Sequence, residues 1–194
     1  MPHDVSCGMR TRAISPLAAA LVCAAAMSVG ACSVSVDENQ DNGTRKANVD
    51  VKTPVGNVSV RAGGDTPADT GLRVYPGARV KQKHDGPDSA TVNVGGSFFG
   101  VKVAAANYDS DASPDALAAF YRTELKAYGT VAECRGNLDF HGHDSAPPSC
   151  RENAQSRELQ LGVGTEDNQH IVAIKPRGSA SEFALVHVDT RGVN

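Results

Sequence analysis

His141, His143 and Asp144 stand within four positions of one another, between Cys134 and Cys150. Imidazole nitrogens and a carboxylate are ligand types that zinc and copper accept, so the three form the candidate metal site of this chain. The alternative is a solvated turn, because histidines two apart in a loop carry little metal specificity. No other cofactor is expected. His84, His170 and His187 are isolated in sequence and read as surface or strand residues. Gly96-Ser97-Phe98-Phe99-Gly100 has the wrong spacing for the Gly-x-Ser-x-Gly elbow of acyl transfer, and Gly162-Val163-Gly164 lacks the third glycine of a dinucleotide fingerprint. Asp109, Asp111 and Asp115 bunch around the entry of a helix, where capping and dipole complementarity explain them better than calcium does. No catalytic residue is assigned, and a non-enzymatic protein is expected.

The N-terminus narrows the compartment. Arg10 and Arg12 precede the Ala-rich run Ala13–Met27, the layout of a secretory leader. A permanent anchor is the competing reading, but the run contains Ser15 and Pro16 and falls short of the ~20 strongly apolar residues that a stable span prefers. Val29-Gly30-Ala31-Cys32 resembles the bacterial lipobox, whose cysteine is acylated, palmitate included, and becomes the mature N-terminus. The resemblance implies a lipoprotein signal peptide over residues 1–31 and a membrane attachment through acylated Cys32. Cleavage by an ordinary signal peptidase would instead leave a free thiol. Ser33 rather than Asp after the cysteine implies the outer membrane where the host has one, with the protein facing the periplasm or the cell surface.

With Cys7 and Cys23 in the leader and Cys32 acylated, Cys134 and Cys150 remain as a pair in an oxidising compartment, which makes a disulfide the natural reading. A redox-active pair is the alternative, although the spacing is far from Cys-x-x-Cys. A disulfide would staple the excursion Arg135–Ser149, which has too few apolar residues to hold itself.

Residues 32–70 are polar, with Val34/Val36, Val49/Val51 and Val58/Val60 as alternating pairs, and read as a flexible tether with a small hairpin turning near Pro54–Asn57. Residues 71–194 form the expected globular domain. Its clearest element is a helix from Ser113 to Gly129, with Ser113 as cap, Pro114 at the first helical position and a stripe of Leu117, Phe120, Tyr121, Leu125 and Tyr128. Strands are expected at Val80–Lys83, Ala90–Val94, Phe98–Ala106, Leu159–Val163, Ile171–Lys175 and Phe183–Val188, while Val131–Cys134 begins a strand or a loop. The fold class is therefore α+β, a single helix packed on an antiparallel sheet of about five or six strands.

Tyr75-Pro76-Gly77-Ala78 followed by Phe120-Tyr121-Arg122-Thr123-Glu124-Leu125 resembles a domain of uncharacterised bacterial envelope lipoproteins. That resemblance implies location, with no activity attached. Charge agrees with the absence of nucleic-acid partners: 19 Lys and Arg less Arg10 and Arg12, against 22 Asp and Glu less Asp4, leave the mature chain at −4. No Trp and only 5% aromatic residues weaken any reading that needs stacking platforms for bases or sugars. The expectation is a lipid-anchored envelope protein that binds an envelope protein partner or organises the surface. The alternative is a zinc- or copper-binding periplasmic protein using His141, His143 and Asp144.

Overall fold

The structure is a computed structural model that describes residues 33–41, 44–54, 56–63, 69–83, 86–87, 89–96, 99–142 and 146–190. The leader, the anchor position Cys32, His84, His143 and Asp144 lie outside the described residues.

Along the described chain run β1 (Ser33–Asp41), β2 (Thr44–Thr53), β3 (Gly56–Ala62), β4 (Arg79–Val80), β5 (Gln82–Lys83), β6 (Gly86–Pro87), β7 (Ser89–Gly96) and β8 (Gly100–Ser110). Helix α1 (Pro114–Leu125) follows, then β9 (Ala132–Cys134), β10 (Gly136–Asp139), β11 (Ser149–Glu152), β12 (Leu159–Thr165), β13 (Asn168–Arg177) and β14 (Ala180–Asp189). Ten of these strands form one antiparallel sheet in the order β1-β2-β3-β7-β8-β14-β13-β12-β9, with β4 alongside β8 beyond the end of β7. The ribbons β5–β6 and β10–β11 are two-stranded sheets of their own, not hydrogen-bonded into it.

Local chemistry explains α1. Ser113 has extended backbone angles, and its Oγ accepts from the Ala116 N–H at 3.3 Å while Pro114 occupies the first turn. Beyond a short 3-10 turn at Lys126–Tyr128 the chain leaves through Gly129, whose φ of 138° suits glycine. The helix buries Leu117, Ala118, Tyr121 and Leu125 against β12 and β13.

The core lies on this helix-bearing face. Ala106 and Tyr108 of β8, Phe183 and Leu185 of β14, Val172 and Ile174 of β13, and Leu161 and Val163 of β12 all point into it, with Leu72 closing one side. Alternation puts every second residue of each strand on that face. Each fully buried aliphatic or aromatic side chain stabilises by roughly 1.5–3 kcal/mol. Tyr108 stacks on Phe183 with ring centroids 5.0 Å apart, and Phe120 and Tyr121 meet edge to face at 5.0 Å. Two ion pairs tie the helix down: Arg73 Nε donates to Glu124 at 2.8 Å, and Arg122 Nη2 to Glu133 at 2.8 Å.

The reverse face carries ladders of small apolar residues. Cross-strand register aligns Val34, Val51, Val58, Val94 and Val101 in one row, and Val36, Val49, Val60, Val92, Val103 and Val188 in the next.

These ladders overturn the expected α+β fold. Among the described residues the protein is mostly β, with the short helix α1 on a sheet of ten strands rather than of five or six. The extra strands come largely from the segment read as a tether, since β1, β2 and β3 occupy residues 33–62. Polar residues between paired valines are what a strand exposed on one face requires, and locally they look the same as a linker. The difference is made by β7, whose Ala90, Val92 and Val94 sit opposite Ala62, Val60 and Val58 and give the valine pairs a partner row. The polar stretch after Cys134 also gains structure, as β10 and β11 pair in register from Gly136↔Glu152 to Asp139↔Ser149.

Candidate functional site

The expected cysteine pair is joined. A disulfide links Cys134, at the end of β9, to Cys150 in β11, with the Cα atoms 5.3 Å apart. It clamps the β10–β11 ribbon to the edge of the sheet. Gly162 of β12 receives that ribbon, because a Cβ there would lie 2.5 Å from Leu138 and 3.1 Å from Phe140. A side chain at position 162 would push the ribbon away.

His141 follows β10, is exposed, and has its Nε2 3.0 Å from Ser149 Oγ. Arg151 donates to Asp139 at 3.0 Å on the same ribbon. A hydroxyl beside an imidazole has the spacing of a nucleophile and its base. Both side chains are exposed here, without the dry, donor-lined environment that stabilises an acyl-transfer oxyanion. Of the candidate metal trio only His141 is described, and the disulfide removes Cys134 and Cys150 as thiolate ligands. Among the described residues no three His, Cys, Asp or Glu side chains are grouped to hold a metal ion.

The structure brings together two histidines that are distant in sequence. His170 of β13 and His187 of β14 are cross-strand partners whose rings stack at 4.3 Å, only 3° from parallel. The Tyr128 ring covers His170 at 3.9 Å, and its hydroxyl donates to the Gly71 carbonyl at 2.6 Å. His187 places Nε2 3.0 Å from Asn168 Oδ1 and Nδ1 3.4 Å from the Asp69 carbonyl. Asp69 in turn accepts from Thr91 Oγ1 at 2.8 Å and lies 3.6 Å from Lys102 Nζ. The cluster fastens residues 69–72 across the sheet, with Thr70 and Leu72 buried beneath. A ligated metal lies near the plane of its imidazole, and two nearly parallel planes share no such point, so this arrangement is a clamp rather than a chelate.

The signal for this pair was available in outline. A β13–β14 turn at Gly178-Ser179 sets Arg177 opposite Ala180, and counting seven residues back along each strand brings His170 opposite His187. Only the position of the turn was missing. Gly178, at φ 66°, supplies the left-handed residue such a turn favours.

At the far end of β8 lies a groove of about 310 Å³ lined by Arg79, Asp109, Asp111, Arg177 and Ser181. Arg79 holds Asp111 with a two-point contact at 3.2 and 3.3 Å, and Arg177 holds Asp109 at 2.9 Å. The aspartates that precede the helix are thus engaged by arginines rather than converging on a cation. With both guanidinium groups matched by carboxylates, the lining carries no net charge.

Three carboxyls elsewhere are held below the usual carboxylate range, chiefly by hydrogen bonding: Glu124 by Arg73, Glu133 by Arg122 and Glu182 by Lys81. Burial pushes the Tyr108 hydroxyl up to about 12 and raises that of Tyr121. These shifts arise from packing and pairing, and none of the five groups lines the groove.

No protein-family model, curated protein or solved structure matches this chain.

Proposed function

We propose that the chain is exported, loses residues 1–31, and is held at the bacterial cell envelope by an acylated Cys32, where its sheet domain serves as a non-enzymatic module that binds an envelope protein or organises the surface. The observation that carries this reading is the Cys134–Cys150 disulfide. It pairs the two cysteines that remain once the leader and the anchor have taken theirs, and such a bond persists in an oxidising compartment. The valine ladders and the exposed residues 33–37 of β1 support binding through a surface.

The test is the intact mass of the protein extracted from bacterial membranes, beside a Cys32→Ala variant, with thiols alkylated before and after reduction. The expected mature chain starts at Cys32 with added acyl mass, and two thiols appear only on reduction. An uncleaved or unacylated chain with Cys134 and Cys150 free would overturn the compartment argument. Crosslinking the anchored protein in cells tests the binding role, which fails if only the protein itself is captured.

A further inference from the structure

The two ends of β8 differ in chemistry. Its Ser110 end meets the groove of paired Arg and Asp residues. At its Gly100 end, register lines up Ser33 of β1, Lys52 of β2, Asn57 of β3, Gly95 of β7 and Gly100 itself, a row whose only charge is Lys52. The row behind it is the five valines Val34, Val51, Val58, Val94 and Val101. Four of the six exposed large apolar side chains among the described residues fall within three residues of this end: Val34 at 64% exposure, Val36 at 58%, Val58 at 37% and Phe99 at 57%. Singly exposed apolar residues need no explanation, but a cluster rimmed by polar residues marks a contact surface.

The chain outside the structure names the occupant. It reaches the domain at Ser33, so Cys32 adjoins this same end, and four strand spacings of ~4.8 Å separate β1 from β8, or about 19 Å. We infer that this end of the sheet lies on the lipid bilayer that holds the Cys32 acyl chains, with Phe99 as a second point of contact. The inference rests on the reading of Cys32 as the anchor.

The turns suit an interface. Gly96 N–H donates to the Phe99 carbonyl at 2.8 Å, and Thr53 Oγ1 to the Gly56 carbonyl at 2.9 Å, so these backbone groups flanking the turns have partners when they enter the headgroup region. Phe carries apolar surface without a polar group to desolvate. The flexible stem of Lys52 can lie along the apolar surface while its ammonium reaches the headgroups. A lipid anchor gains strength from a second membrane signal, and this end supplies one. The orientation turns the Arg79/Arg177 groove away from the bilayer.

The chain has no Trp, so a single introduced indole reports its own surroundings without background. Phe99→Trp, just before β8, and Val34→Trp in β1 read the proposed contact at two places, and Ser179→Trp in the β13–β14 turn reads the opposite end. Each mature protein is extracted from bacterial membranes, its Cys32 acyl mass verified, and reconstituted into phosphatidylcholine vesicles with or without bromine on the acyl chains. The expected result is a blue-shifted emission for Trp at 99 and 34, with a several-fold greater bromine quenching than for Trp at 179. With the acyl mass present, emission at 99 and 34 typical of water and no quenching would overturn the inference. A blue shift without bromine quenching that grows with protein density assigns the surface to a second copy and also overturns it. If no acyl mass is found, the anchor reading fails, and the unacylated protein is added to the same vesicles: quenching at position 99 still supports the bilayer contact, and its absence refutes it.

Discussion

Tyr108 and Tyr121 sit in the same core, both fully buried, yet their hydroxyl groups have opposite surroundings. The Tyr121 hydroxyl accepts from the Tyr75 backbone N–H at 3.1 Å, whereas that of Tyr108 has no hydrogen-bond partner among the described residues. An unsatisfied buried hydroxyl costs about 1–3 kcal/mol, and a satisfied one contributes about 1 kcal/mol. Removing the same oxygen from each should therefore act in opposite directions. Tyr108→Phe keeps the stack on Phe183 and is expected to stabilise by about 1 kcal/mol, while Tyr121→Phe strands the Tyr75 N–H and destabilises by about 1–2 kcal/mol. With a urea m-value of about 2 kcal/mol/M, the midpoint rises by about 0.5 M in the first variant and falls by about 0.5–1 M in the second. Alkaline titration adds a second readout. The folded pKa of Tyr108 lies above its unfolded value of about 10, so the stability it contributes is complete below that pH and is lost as pH rises toward about 12. Tyr108→Phe should flatten that fall by one proton, about 1.4 kcal/mol per pH unit. Equal destabilisation by both variants, or an unchanged alkaline slope, would refute the reasoning.

Two further outcomes follow from the geometry. Replacing Cys134 and Cys150 together with Ser opens a loop of sequence separation 16 and should cost about 3 kcal/mol in urea unfolding, in the chain-entropy account. Acid should weaken the fold through Glu124, Glu133 and Glu182, whose folded pKa values lie below the unfolded one. Their contribution is present above about pH 4.3 and lost as pH falls through the folded values, so a triple Glu→Gln variant should show a flatter acid limb in thermal unfolding between pH 5 and 2.

Several features were readable along the chain. Ser113 and Pro114 start α1 because capping involves neighbours three residues apart, which a sequence displays directly. The Cys134–Cys150 bond was reached by asking which cysteines remain once the others are assigned. The alternating valines at 49–51 and 58–60 announced the β2–β3 hairpin, since turn and strands lie within a dozen residues. The metal trio remains a reading of sequence, with His143 and Asp144 outside the described residues.

What the sequence determined by itself is the set of local periods, caps and turns; the leader with its cysteine remains a reading of the sequence and part of the proposal. The tertiary structure decided which rows meet. Whether Val58 and Val60 belong to a tether or a sheet depends on Val92 and Val94, more than thirty residues away. Arg73 finds Glu124 across 51 positions, and His170 finds His187 only once the turn at Gly178 sets the register. Backbone hydrogen bonds and side-chain alternation prescribe a strand but not its partner. That choice belongs to the strand whose apolar row completes the burial, and it exists only when the whole sheet is assembled.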